Sequence, residues 1–147
     1  MTLSDLVEMV KTGAARVVPA EEHAAILHCA HDGGSRLALF LLDLAEPGQI
    51  QKAVPAVLAK EQPDAYVLIS EARFKKSTSP VLPGFRRGNI GGDPSNPECL
   101  VIFGFDRVSR EKAGWFAEVH GTIPNRTMAE WRNMSDGMAG ALVTTDW

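Results

Sequence analysis

Three residues that can exchange protons stand in or beside apolar, strand-like runs of the sequence. Glu71 lies in the first run, Asp106 closes the second, and His120 lies late in the third. Two carboxylates can divide the roles of general acid and base when their environments separate their pKa values, and a histidine can act as a base near neutral pH. These residues suit a small hydrolase-like enzyme, but carboxylates at strand ends can equally be surface ion pairs with Arg73 and Arg107.

A second group is electrostatic and lies in the Gly/Pro-rich segment 73–97, which contains no acidic residue before Asp93. Exposed arginines beside an aromatic ring can bind phosphate, stack on bases or hold an acidic partner. A loop of this length is uncommon in a compact domain unless it is functional or disordered, so a solvated loop is the alternative. The predicted ligand-binding residues are Arg73, Lys75, Lys76, Phe85, Arg86 and Arg87.

Metal binding and nucleophilic catalysis find less support in the sequence. His28 and His31 would point to opposite faces of a strand, and no second Cys/His pair has the spacing of zinc sites. Ser70 lacks the Gly-x-Ser-x-Gly elbow. Cys29 and Cys99 lie in apolar runs, where a free cysteine usually packs as a small hydrophobe. We therefore predict no metal site and no cofactor.

The overall composition is that of a globular protein. With 147 residues, 45% hydrophobic and 22% charged, the chain is expected to form one domain, 1–147. Its net charge of −3 does not favour nucleic acid as a partner of the whole chain. No apolar run approaches the roughly 18 residues that span a bilayer, and the N-terminus lacks the pattern of a signal peptide. We expect a cytoplasmic protein without membrane contact.

The periodicity of the apolar residues predicts an α+β fold: two helices and a mainly antiparallel sheet built from two hairpins plus one strand. Pro55 lies inside the second helix, which is expected either to bend there or to begin at Pro55. The dipeptide Asp-Gly at 32–33 predicts the first hairpin. The second strand of that hairpin is apolar at both alternations, as in a central strand covered on both faces. The predicted α-β-β-α-β-β-β order is helix 3–12, strands 24–30 and 36–44, helix 48–62, and strands 65–72, 100–105 and 113–123.

The C-terminal segment allows two interpretations. Thr127 and Glu130 match a capping box, which predicts a helix over 127–138, but the same residues alternate well enough for a short edge strand. Exposed tryptophan and methionine are enriched at contact surfaces, so we expect a homodimer through this segment. The large side chains concentrated late in the chain, most of which we expect in the core, are Trp115, Phe116, Met128, Trp131, Met134, Met138 and Trp147.

The run 64–72, Asp-Ala-Tyr-Val-Leu-Ile-Ser-Glu-Ala, and the run 98–106, Glu-Cys-Leu-Val-Ile-Phe-Gly-Phe-Asp, are separated by a polar loop. This arrangement resembles a widespread group of small uncharacterised bacterial and phage proteins with a Tyr-Val-x-x-Ser-Glu-Ala strand. The resemblance extends over about residues 24–131, but Arg73 stands where the group often has tryptophan. The group has no assigned activity, so the resemblance implies a fold pattern and, over 127–134, a last strand rather than a helix.

Three functions follow from these patterns. The first is a non-catalytic binding or accessory module that holds a protein or an anionic ligand through the segment 73–97. The second is the hydrolase-like enzyme with Glu71, Asp106 and His120 in one cleft. The third is binding of nucleic acid or phosphate through the basic residues of 73–87. The first is our prediction, and the others are its alternatives.

Overall fold

The computed structural model describes residues 1–42, 49–73, 84–85, 98–134 and 144–147. Two helices and eight strands form within these ranges, with a short 3-10 turn at Asp32–Gly34. The helices are α1 (Leu3–Val17) and α2 (Gln49–Glu61). The strands are β1 (Ile26–His31), β2 (Arg36–Leu41), β3 (Ala65–Arg73), β4 (Gly84–Phe85), β5 (Glu98–Asp106), β6 (Lys112–His120), β7 (Thr127–Met128) and β8 (Arg132–Asn133).

The strands form one antiparallel sheet in the order β2-β1-β3-β5-β6-β7. β4 pairs with the end of β3, and β8 pairs with β6. The two predicted hairpins are β1–β2 and β5–β6, and β3 lies between them as the single strand. The predicted α+β class and element order are therefore confirmed.

β2 differs from its predicted position, because it is the outermost strand beside β1 in the described sheet and not a central one. Successive side chains of β2 still point to opposite faces of the sheet. Ala38 and Phe40 pack against the core, whereas Leu37, Leu39 and Leu41 are exposed. The run is apolar at both alternations, but the chain buries only one of them.

The two helices cover opposite faces of the sheet. α1 buries apolar residues at helical spacing (Leu3, Leu6, Val7, Val10 and Ala14) against β3, β5 and β6. Thr2 caps its first turn by accepting a hydrogen bond from the backbone of Asp5, whose carboxylate accepts one from the Thr2 amide. The helix runs past Gly13, where we predicted its end, because Ala14 remains buried in the same apolar stripe.

α2 packs on the other face through Val54 and Leu58. Pro55 lies inside this helix, so it removes one backbone donor without ending the element. Among the residues that the structure describes, no helix is both long and apolar enough to cross a membrane.

The C-terminal segment forms the strand alternative where it is described. β7 and β8 pair with β6, as the resemblance implied for 127–134. The last residue, Trp147, docks on the α2 face, where its indole N–H donates to the Pro63 carbonyl at 2.9 Å. Its ring lies in T-shaped contact with Tyr66 and Phe105, at centroid distances of 5.5 and 5.7 Å. These residues thus stabilise the chain's own core.

We predict that Gly104→Ala destabilises the sheet. A Cβ at this position of β5 would lie 2.8 Å from the Tyr66 carbonyl oxygen and 3.0 Å from Cγ2 of Val67, both in the packed interior. Overpacking of this kind typically costs about 1–3 kcal/mol in the free energy of unfolding, which urea titration measures.

Gly13→Ala is the matched control, because nothing lies within 4 Å of a Cβ built there. Replacement of glycine by alanine inside a helix should raise the free energy of unfolding by about 0.5–1 kcal/mol. Equal effects of the two variants would contradict the packing at Gly104.

Candidate functional site

The central feature is a buried ion pair between Glu71 of β3 and Arg126, which lies between β6 and β7. The pair is bidentate: Nη2 of Arg126 donates to Oε1 of Glu71 at 2.6 Å, and Nη1 donates to Oε2 at 3.0 Å. Both side chains are only 2% exposed. Such a fork–fork geometry is among the strongest hydrogen-bonding arrangements between side chains.

Further partners complete the hydrogen bonding of both groups. Nε of Arg126 donates to the Val18 carbonyl at 3.0 Å, and Nη2 also donates to the Glu21 carbonyl at 2.7 Å. Glu98 of β5 accepts from Nη1 at 3.4 Å. The backbone N–H of His23 donates to Oε1 of Glu71 at 2.8 Å. We call Arg126, Glu71 and Glu98 the Arg126 cluster.

The electrostatics of this cluster favour the charged form of Arg126. The hydrogen bonds from Arg126 to Glu71 raise the pKa of the guanidinium, and this outweighs the opposing effect of burial. The Glu71 carboxylate is closed to solvent and accepts hydrogen bonds at both oxygens. In this arrangement it anchors the chain and has no access to a substrate.

The structure does not bring Asp106 or His120 to Glu71. In the β3–β5 ladder Glu71 is opposite Leu100, whereas Asp106 is opposite Ala65. Six residues along a strand correspond to about 20 Å. The interpretation of Glu71, Asp106 and His120 as one catalytic cleft is therefore not supported by the geometry.

Asp106 and His120 have local roles instead. Oδ1 of Asp106 accepts from the amides of Val108 and Ser109 at 2.8 and 3.0 Å, which stabilises the β5–β6 turn. Nε2 of His120 lies 3.4 Å from Glu118 in a half-exposed pair. By strand alternation His120 lies on the face opposite to Glu71, whereas Asp106 shares the face of Glu71 but lies at the other end of the β3–β5 ladder.

The remaining chemical candidates are buried. Burial raises the pKa of the Cys29 thiol to about 12 and raises that of Cys99 as well, so both thiols are poor nucleophiles near neutral pH. Ser70 is 2% exposed and donates to the Glu71 carbonyl at 3.3 Å. Within the described ranges, no three His, Cys, Asp or Glu side chains are close enough to hold a metal ion.

The structure describes only part of the predicted ligand-binding group. Arg73 ends β3 and Phe85 lies in β4, and the two backbones meet because Ala72 is opposite Phe85 and Arg73 is opposite Gly84. On its other edge, Arg73 is opposite Glu98. Lys75, Lys76, Arg86 and Arg87 lie outside the described residues.

Sequence reasoning missed Arg126. No motif surrounds it, since it stands in a polar stretch after Pro124. The available signal was Glu71 itself, because a carboxylate inside a buried apolar strand requires a cationic partner. Which of the 15 lysines and arginines supplies that partner is decided by the path of the loop after β6.

Comparisons with known proteins add no relative: no family model, no curated protein and no solved structure matches the chain. The resemblance carried by Ser70, Glu71 and Ala72 therefore stays an expectation.

We predict that Arg126→Met lowers the free energy of unfolding by about 3–5 kcal/mol, because it leaves the Glu71 carboxylate buried without its cation. The double variant Arg126→Met/Glu71→Gln should lose less than the sum of the two single variants, since it leaves no stranded charge. Urea unfolding of all three measures this difference. Arg132→Met, on an exposed side chain, should change stability by no more than about 0.5 kcal/mol. Strict additivity of the two single effects would contradict the pairing.

We also predict a stability loss at acidic pH through His28. Burial lowers the pKa of this imidazole below its ordinary value of 6.5, although hydrogen bonding to Val67 opposes the shift. As the pH falls below about 6.5, the unfolded chain therefore binds the proton first, and stability present at neutral pH is lost. The decrease in unfolding free energy between about pH 7 and pH 5 should be smaller for His28→Gln than for the unmodified chain. Identical pH profiles would show that the ring titrates alike in both states.

Proposed function

We propose that this protein is a non-catalytic binding module that holds an acidic segment of a partner protein through residues 73–97. The observation that carries the proposal is the return of the chain to β3 at Gly84–Phe85. This pairing places Phe85 opposite Ala72 and Gly84 opposite Arg73. Arg73 and Phe85, two of the predicted ligand-binding residues, therefore lie on neighbouring strands at one end of β3.

The Arg126 cluster supports this role by fixing the base of the segment. Glu71 lies two residues before the end of β3, and Glu98 begins β5. Arg126 binds both carboxylates, at 2.6 and 3.4 Å. The two strands from which the segment departs and to which it returns are thus tied together by a buried cation, and a rigid base lowers the ordering cost of binding.

Charge favours an acidic protein partner over nucleic acid. The segment 73–97 contains five basic residues and one acidic residue, whereas the whole chain carries a net charge of −3. A local positive segment on a negative protein attracts a short anionic ligand at close range. A long polyanion would also meet the negative remainder of the surface.

The environments of the acid–base candidates argue for binding without catalysis. Glu71 is held by Arg126 and Asp106 by a turn, and they stand at opposite ends of the sheet. Acid–base catalysis needs both groups within reach of one substrate. The hydrolase-like alternative thus lacks the geometry on which it depends.

We predict that Arg86→Ala/Arg87→Ala weakens binding of a fluorescein-labelled oligoglutamate peptide about tenfold, as fluorescence anisotropy measures. Two lost charge-assisted contacts at about 0.7 kcal/mol each correspond to that factor. Affinity of the unmodified chain should also fall as salt is raised from about 50 to 200 mM.

The matched control is Lys52→Ala/Lys60→Ala, which removes two exposed cations from α2 and should leave the affinity unchanged. Equal losses in both double variants would indicate non-specific attraction and contradict the proposal. Tighter binding of an oligothymidylate of similar length would favour the nucleic-acid alternative instead.

A further inference from the structure

The outer edge of β2 presents backbone groups and leucine side chains together. The amide of Leu42 donates to the Ala25 carbonyl at 2.9 Å, so even-numbered residues of this strand direct their backbone groups toward β1. Backbone direction alternates along an antiparallel strand. Leu37, Leu39 and Leu41 therefore direct their N–H and C=O groups toward the outer edge, where no described strand pairs with them.

The same three leucines are exposed on the face that carries α1. Their exposed fractions are 37%, 58% and 73%, increasing toward the end of the strand. They share this face with Ile26, His28 and Ala30 of β1, which are their cross-strand partners. α1 packs on β3, β5 and β6 and leaves the three leucines of β2 uncovered.

β2 also lacks the features that keep natural sheet edges apart. Proteins usually protect an edge with charged residues, proline, bulges or very short strands. After Arg36, the residues 37–42 are Leu-Ala-Leu-Phe-Leu-Leu, without charge, proline or glycine. An uncharged, regular edge of this kind favours pairing with another strand.

We infer that β2 pairs with β2 of a second copy of this chain, antiparallel about a two-fold axis through Leu39. Leu39 lies opposite Leu39 of the partner subunit, and Leu37 lies opposite Leu41 of the partner subunit. These are the residues whose backbone groups face outward, so each pair exchanges both of its N–H···O=C bonds. The interface is isologous, as in most homodimers, and the two sheets become one.

This register matches side chains on both faces. The leucines of both copies form one continuous row on the α1 face, and Ala38 lies opposite Phe40 of the partner subunit on the other, a small side chain against a large one. Registers shifted by one residue are excluded, because they would exchange the faces of the sheet.

Charge selects the antiparallel arrangement. The two copies of Arg36 are separated by six residues along the pair, or about 20 Å, which exceeds the screening length of about 8 Å at physiological salt. A parallel pairing would place these two cations side by side, about 5 Å apart.

The dimer also explains the sequence pattern of this strand. Residues 37–42 are apolar at both alternations and carry no charge, which suits a strand that is paired on both sides. In one copy β2 has one paired neighbour, β1, within the described sheet. The second copy supplies the other neighbour.

Sedimentation velocity over about a hundredfold range of protein concentration tests the inference. The unmodified chain should sediment as a dimer, and Leu39→Lys as a folded monomer, because two ammonium groups would meet on the two-fold axis. Val108→Lys places the same charge on a side chain that is 78% exposed in the β5–β6 turn, and it should remain a dimer. Circular dichroism reports folding of each variant.

Two results would confirm the register. An equimolar mixture of Leu39→Lys and Leu39→Glu should dimerise although each alone is monomeric. Leu39→Cys should cross-link on mild oxidation, since Cα atoms about 5.5 Å apart suit a disulfide, and Val108→Cys should not. The cross-link decides the matter even where Leu39→Lys fails to fold.

A monomeric unmodified chain at every concentration would overturn the inference. So would a dimer that persists in folded Leu39→Lys, or a Leu39→Cys chain that forms no cross-linked dimer, because the contact would then lie elsewhere. All of these variants leave residues 73–97 unchanged, so their outcome is independent of oligoglutamate binding.

Discussion

The buried pair of Arg126 and Glu71 is the interaction on which the arrangement of this protein depends. Removing two charges from water costs several kcal/mol per ion, and only good geometry with full hydrogen bonding offsets that cost. Here the bidentate contact is completed by two backbone carbonyls after α1 and by the His23 amide. One guanidinium thereby joins the end of α1, β3 and the loop after β6, and through Glu98 it also reaches β5. The apolar core alone would not specify this meeting of four segments, because hydrophobic contact is not directional.

α1 is too narrow to cover the whole of its face of the sheet, and the uncovered part is the row of leucines on β2. α1 covers β3, β5 and β6, and the apolar cluster into which it packs extends to Ile26 and Ala30 of β1 but includes no residue of β2. The α1 face of β2 is therefore exposed although its residues are as apolar as those of an interior strand. An uncovered row of this kind on a regular sheet edge is where association becomes favourable, since backbone pairing and apolar burial act together.

The roles of the two carboxylate candidates, Glu71 and Asp106, are set by their positions in the tertiary structure. Glu71 and Asp106 are similar in sequence terms, each a carboxylate in or after an apolar run. In the structure, one is buried with a cation and the other accepts two amides in a turn. Spacing along the chain could not distinguish these roles, because the antiparallel register places the two residues at opposite ends of their ladder.

What the sequence determined by itself was the two helices and the five longer strands, because helix and strand periods are local properties of the apolar residues. The α+β class and both hairpins follow from patterns within about fifteen residues. What only the tertiary structure decided was which strand lies at the edge, which arginine pairs with Glu71 and where Trp147 docks. The pairing of Arg126 with Glu71 and the docking of Trp147 depend on contacts between residues 55 and 84 positions apart. Such contacts are fixed by the mutual fit of whole elements and leave no periodic signal in the sequence.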